Sequence, residues 1–170
     1  MKKYIPKMYL KSIFNIPYQK LKERGIKCLI FDIDNTITKI SDDIPNPKTA
    51  NLIQKLKEDF TIVLISNNTK KRVAKVAQNL QVDFISFSLK PSIIGLSKIR
   101  KKYKFSKNEM VMIGDQLFTD ILAGNRYGIL TILVDPLAKK DLKITSLNRK
   151  FEKYVMKKKG TNLERGKFYE

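Results

Sequence analysis

The chain has 170 residues, 42% of them hydrophobic, with one cysteine, no histidine and a formal net charge of +19. That length suits one domain with a real core; a single Cys rules out an internal disulfide and the lack of His rules out imidazole chemistry. The longest apolar runs are four or five residues, far short of a membrane span, and the N-terminus lacks the long apolar centre of a signal peptide, so a cytoplasmic location is expected.

In chain order, residues 1–27 form a basic segment in which Tyr4 to Ile16 mixes Lys with Tyr, Ile, Met and Phe and reads as an amphipathic basic helix. A core over 28–138 then alternates strand and helix. Strands are predicted at 28–33, 61–65, 84–87, 110–113 and 130–134, and helices near 47–58, 69–79, 91–103 and 118–126. Pro47 and Pro91 suit first helical turns, and Gly128 suits the stop of the last helix. The alternation implies a parallel sheet flanked by helices. Residues 139–170 form a basic helix and tail, with Ile144, Leu147, Phe151 and Val155 at helical spacing amid Arg149, Lys150, Lys153 and Lys157. Cys28 sits in the first core strand and packs rather than reacts.

The charge is uneven. Residues 1–27 hold eight Lys/Arg against one acid and residues 139–170 hold eleven against four, so the two ends carry +14 of the +19. Such an excess favours an anionic partner: a membrane surface, a nucleic acid or a phosphorylated substrate. Its bland counterpart is that Lys is simply the polar filler of this chain.

Polar clusters recur at the C-terminal ends of the strands, where a parallel sheet places its chemistry. Asp32-Ile33-Asp34-Asn35-Thr36 follows the first run, Ser66-Asn67-Asn68 the second, Lys90-Pro91 the third and Gly114-Asp115 the fourth, with Asp120 close behind. Strand periodicity starts Asp32 and Asp34 on the same side, able to share one metal or one phosphoryl group. Taken singly, each cluster also reads as ordinary turn and capping chemistry. Asp42 and Asp43 fall in a polar turn and read as solvated, Asp135 before Pro136 as a turn residue, and Gly124 and Asn125 as helix-end packing.

The order Asp-x-Asp-x-Thr, Ser-Asn, Lys, Gly-Asp-x4-Asp resembles the four-motif signature of the haloacid dehalogenase superfamily of phosphohydrolases. Asp34, at the second position of the acid pair, points to its phosphatases and mutases. Gly114-Asp115-Gln116-Leu117-Phe118-Thr119-Asp120, together with Gly124-Asn125-Arg126 and Lys22-Glu23-Arg24-Gly25-Ile26-Lys27, is similar to the uncapped subclass IIIA group of YqeG type. The resemblance implies a three-layer α/β/α Rossmann-like fold with a parallel five-stranded sheet and no cap domain. Spacing agrees: Thr36 to Ser66 is 30 positions and Ser66 to Lys90 is 24, each consumed by a loop, a helix and a strand.

By the same resemblance Asp32 is the nucleophile that forms an aspartyl-phosphate, and Asp34 the general acid and base. Ser66 and Lys90 hold the transferring phosphoryl group. Mg²⁺ suits an oxygen-only site of Asp32, the Asp34 main-chain carbonyl and Asp115, with Asp120 as a further ligand or support. Thr36 steadies the loop and Asp34, and Asn67 and Asn68 contact substrate or cap the next helix, capping being the plainer role. Relatives of the group include phosphatidylglycerophosphate phosphatases. The expected substrate is therefore a phosphorylated, anionic lipid headgroup, met at a peripheral contact with an anionic membrane on its cytoplasmic face. Two alternatives stand beside it: a phosphatase of a soluble phosphometabolite or nucleotide, and an RNA- or ribosome-associated binding protein. Nucleic acid is not favoured, because no RNA-binding module is recognisable.

Overall fold

The computed structural model describes residues 2–138 and 163–168. Six strands form one parallel sheet: β1 (Met8–Leu10), β2 (Cys28–Asp32), β3 (Thr61–Ile65), β4 (Asp83–Ile85), β5 (Met110–Gly114) and β6 (Leu130–Val134), in the spatial order β1-β6-β5-β2-β3-β4. β2 is central and wholly buried, which is why it reads as an unbroken apolar run rather than an alternating one. Its side chains divide by parity. Leu29 and Phe31 join the core on one face with Leu21 of α1 (Tyr18–Glu23), Ile53 of α2 (Pro47–Leu56) and Val73 and Val76 of α3 (Lys70–Leu80). Cys28 and Ile30 join the other, with Leu96 and Ile99 of α4 (Ile94–Tyr103) and Ala123 and Tyr127 of α5 (Leu122–Tyr127). The result is the expected α/β/α sandwich, and no cap interrupts the chain between β2 and β3 or between β3 and β4.

The expected helix over Tyr4 to Ile16 is not there. Lys2–Tyr4 and Ile13–Asn15 are single 3-10 turns, and Met8–Leu10 pairs in parallel with Ile132–Val134 as a sixth strand. Three residues carry too little periodicity to declare themselves, and β6 supplies the partner that decides their state. Residues 163–168 then cover the outer edge of β1: Gly166 N donates to Tyr9 O (2.7 Å) and Met8 bridges Phe168. Asp135 joins the same corner, accepting from Tyr9 Oη (2.6 Å) and pairing with Arg165 Nη2 (2.8 Å), so it is a structural clip. The helical pattern of Ile144, Leu147, Phe151 and Val155 lies outside the described residues.

Local signals hold well elsewhere. α2 has Pro47 at its first turn, with Asn46 Oδ1 accepting from Thr49 N (2.9 Å). Gly128 ends α5 at φ 82°, a conformation that suits glycine. Pro91 does not open α4, which starts at Ile94; the Lys90–Pro91 peptide is cis and residues 91–93 form a turn. Cys28 is buried, and burial pushes its thiol up to about 12, which leaves it unreactive.

Candidate active site

The C-terminal edge of the sheet gathers the expected polar clusters into two tiers. The lower tier is formed by Asp32, Lys90, Asp115 and Asp120, all buried. Asp32 ends β2, and Lys90 Nζ lies 2.5 Å from its Oδ1 and 2.7 Å from Asp120 Oδ1, and also donates to Ile65 O (3.2 Å). The Lys90–Asp120 contact is an ion pair without hydrogen-bond alignment. Asp120 is delivered by a π-helical turn, Leu117–Ile121, that brings its Oδ2 to accept from Gln116 N (3.1 Å) and packs its carboxylate over Gly114. A Cβ at position 114 would overlap that carboxylate, so the glycine of the Gly-Asp pair at the end of β5 makes room for Asp120.

Asp32, Asp115 and Asp120 each offer an oxygen within 4.8 Å of the others. Burial raises the carboxyl pKa of Asp32 well above its ordinary value, with Asp120 and Asp115 adding to the rise and Lys90 opposing it. For Lys90, burial alone would lower the pKa, but the charges of Asp120 and Asp32 outweigh it and hold the ammonium above its usual range. Asp32 and Asp120 thus share one ammonium, and Asp32 Oδ2 is buried without a hydrogen-bond partner. A buried, oxygen-only set of three carboxylates fits a divalent cation.

The upper tier is partly exposed. The motif loop turns sharply after Ile33, whose carbonyl accepts from the backbone N–H of Thr36, Ile37 and Thr38, with Asn35 at φ 65°. The Asp34 carboxylate is not part of the Asp32–Asp115–Asp120 cluster. Asp34 instead meets Arg72 of α3, whose Nε and Nη2 both donate to Oδ1 (3.2 and 2.9 Å). Asn68 Nδ2 reaches Oδ2 at 3.3 Å and Ser66 Oγ at 3.5 Å, the limit of a hydrogen bond.

Arg72 is the functional side chain missed in the sequence. Besides Asp34 it binds the carbonyls of Asp42 (2.7 Å) and Lys39 (3.0 Å) and the Asp43 carboxylate (3.0 Å), tying the 39–43 loop over the cleft. Asp43 is solvated as expected, its side chain exposed, and it also pairs with Arg72 and with Lys75 (2.7 Å). The signal lay in helical phase: Arg72 precedes Val73 and stands one turn before Val76 on the inward side of α3.

The remaining expected residues support both tiers. Thr36 is buried, and its hydroxyl lies 3.5 Å from Asp115 Oδ1 rather than beside Asp34. Asn67 fastens the Lys90 loop, its Oδ1 accepting from Lys90 N (2.7 Å) and Ser88 Oγ (2.8 Å) and its Nδ2 donating to Lys90 O (2.9 Å). Neither Asn67 nor Asn68 caps α3; Thr69 does, accepting from Arg72 N. Gly124 and Asn125 are packing residues, as expected: a Cβ at 124 would overlap Thr131, and Asn125 holds the carbonyls of Lys3 (3.0 Å) and Ile5 (2.9 Å).

An acid pair at the end of the central strand, a buried lysine and a Gly-Asp turn, carried on a parallel sheet without a cap, define a phosphoric monoester hydrolase of the haloacid dehalogenase class. A solved structure shares the fold: the cobalt-bound deoxy-D-mannose-octulosonate 8-phosphate phosphatase YrbI of Haemophilus influenzae, with TM-score 0.53 and 14% identity, over 82% of this chain and 92% of that one. The family described as mitochondrial PGP phosphatase matches residues 1–138, and the chain belongs to that family. It is 36% identical to the "Probable phosphatase YqeG" of Bacillus subtilis strain 168, over 92% of this chain and 94% of the relative. It is also 27% identical to phosphatidylglycerophosphate phosphatase 1 (chloroplastic/mitochondrial) of Arabidopsis thaliana, over 79% of this chain and 42% of that protein.

Proposed function

We propose that this cleft removes the terminal phosphate of phosphatidylglycerophosphate, with Asp32 as nucleophile and Mg²⁺ as cofactor. The observation that carries the reading is the buried, unpartnered Oδ2 of Asp32, at the end of the central strand and beside a lysine that fixes its other oxygen. Asp32 attacks phosphorus, the bond to the leaving lipid oxygen breaks, and Asp34 gives that oxygen its proton. Water then attacks the aspartyl-phosphate, Asp34 takes a proton from it, inorganic phosphate departs and the Asp32 carboxylate is restored. Lys90 and the Ser66 hydroxyl face the phosphoryl oxygens, and Arg72 holds Asp34 in place. Asp32, Asp115 and the Asp34 main-chain carbonyl are the proposed Mg²⁺ ligands, with Asp120 as a further ligand or support. The ion, when bound, offsets charge on the phosphoryl group.

Two features support a lipid substrate: the family itself, and a cleft that no cap encloses, which admits a phosphate attached to something large. No helix among the described residues is long and apolar enough to cross a membrane, and the reading places the protein peripherally on an anionic bilayer.

The decisive measurement is Mg²⁺-dependent phosphate release from phosphatidylglycerophosphate in mixed micelles, against a panel of soluble phosphomonoesters. Asp32→Asn serves as blank and is expected to lower turnover by about 10⁴-fold or more with the fold intact by circular dichroism. Turnover of soluble esters alone would discard the lipid, and an Asp32→Asn variant at wild-type rate would discard the nucleophile.

A further inference from the structure

The loop that turns Lys90 inward turns apolar side chains outward. Phe87, Leu89, Ile93 and Ile94 are 59%, 67%, 41% and 55% exposed, while Ser88 and Lys90 between them are buried. Polar groups inside and large apolar groups outside invert the usual arrangement of a water-facing loop. The backbone enforces it. Phe87 and Leu89 hold φ values of 47° and 55°, the left-handed region that bulky residues disfavour. The three bonds to Asn67, and Phe87 N donating to Asn68 O (3.2 Å), keep the loop there. Positioning Lys90 accounts for the shape of this loop, but not for the choice of Phe and Leu at its two outward points.

Exposed cations surround the patch. Lys70 and Lys71 occupy the first turn of α3, just beyond the Asn68 carbonyl that Phe87 N contacts. Lys98 stands one turn along α4 from Ile94, and Arg126 Nη1 donates to Pro91 O (3.4 Å). None of the four pairs with an acidic side chain among the described residues. Apolar side chains ringed by unpaired Lys and Arg, at the mouth of a phosphate-cleaving cleft, complement the boundary between acyl chains and anionic headgroups.

We propose that the Lys90 loop is the membrane-docking element: Phe87, Leu89, Ile93 and Ile94 enter the outer acyl region of an anionic leaflet while Lys70, Lys71, Lys98 and Arg126 meet its headgroups. Docking in this way opens the cleft onto the plane where lipid phosphates lie, and it rests on the lipid-substrate reading above. It assigns attachment to the rim of the cleft rather than to the basic ends of the chain.

The chain contains no tryptophan, so an introduced one reports alone. Full-length Ile94→Trp is mixed with phosphatidylglycerol/phosphatidylcholine vesicles carrying brominated acyl chains, and Phe105→Trp, between α4 and β5 at the opposite edge of the sheet, serves as reference. The emission of Ile94→Trp is expected to shift to shorter wavelength and be quenched by bromine, with that of Phe105→Trp unmoved. The double variant Phe87→Ser/Leu89→Ser, checked for fold by circular dichroism, is expected to bind vesicles about tenfold or more weakly. Vesicle binding with an unmoved signal from Ile94→Trp would overturn the proposal while lipid turnover keeps the lipid-substrate reading. A signal already at short wavelength without vesicles, and unchanged by them, would also overturn it. If that signal depends on protein concentration, a second copy covers the patch; if not, the chain itself does. Absence of both vesicle binding and lipid turnover in the unaltered protein, with soluble esters hydrolysed, would sink the two readings together.

Discussion

The floor and the rim of the cleft each hold one acid of the same pentapeptide in the grip of a cation, yet they are built differently. On the floor, Asp32 meets Lys90, whose side chain is only 3% exposed, and Asp120 shares the same ammonium. On the rim, Asp34 is 18% exposed and meets Arg72, which spends its other donors on loop carbonyls and on Asp43. A lysine is a point charge that can be shared among several oxygens, whereas the planar guanidinium sets direction. The floor therefore concentrates charge and the rim fixes geometry.

Removing the floor cation should give the larger effect. Lys90→Met leaves Asp32 and Asp120 buried without their ammonium, and is expected to cost about 3–5 kcal/mol of stability in metal-free buffer. Turnover should fall by about 10²-fold or more. Thermal unfolding with and without Mg²⁺ sharpens the contrast, because added cation should recover part of the lost melting temperature. An unchanged melting temperature in chelator would mean that the floor charges are not balanced by Lys90.

Changing the rim cation should separate geometry from stability. Arg72→Lys keeps the charge but loses the fork, and is expected to lower kcat about tenfold while costing no more than about 1 kcal/mol. Steady-state kinetics beside a denaturant curve distinguish the two terms. A variant as active as the wild type would show that Asp34 needs no directional clamp.

The smallest expected effect joins the tiers. Thr36→Val removes the hydroxyl near Asp115 and is expected to cost about 1 kcal/mol, together with a modest rise in the Mg²⁺ concentration for half-maximal activity. A magnesium titration of the variant against the wild type tests it, and identical curves would detach Thr36 from the acidic cluster.

Much of this architecture was legible because the central strands are buried on both faces and therefore spell continuous apolar runs. Cys28–Phe31, Ile62–Ile65 and Met110–Ile113 declare themselves, and the polar residues that follow them mark the edge where chemistry gathers. Met8–Leu10 was not legible, since three residues acquire strand character only from β6, more than a hundred positions away. The pairing of Asp34 with Arg72 was hidden for a related reason: period-2 alternation stops with the strand at Asp32, and the turn on Ile33 O decides the rest. Arg72 was masked by Lys70 and Lys71, two solvent-facing neighbours of the same charge. Thr36 and Asp115 lie 79 positions apart, so their contact belongs to the sheet and not to any local pattern.

The segment 163–168 lies along the outside of β1 and gives that strand partners on its free side. Every group assigned to the cleft lies before residue 138, so a chain shortened there would retain its reactive carboxylates yet bare a row of unpaired backbone donors and acceptors at Met8–Leu10. Such a row is a template for edge-to-edge self-association. This short segment thus shields the edge of β1 from such pairing.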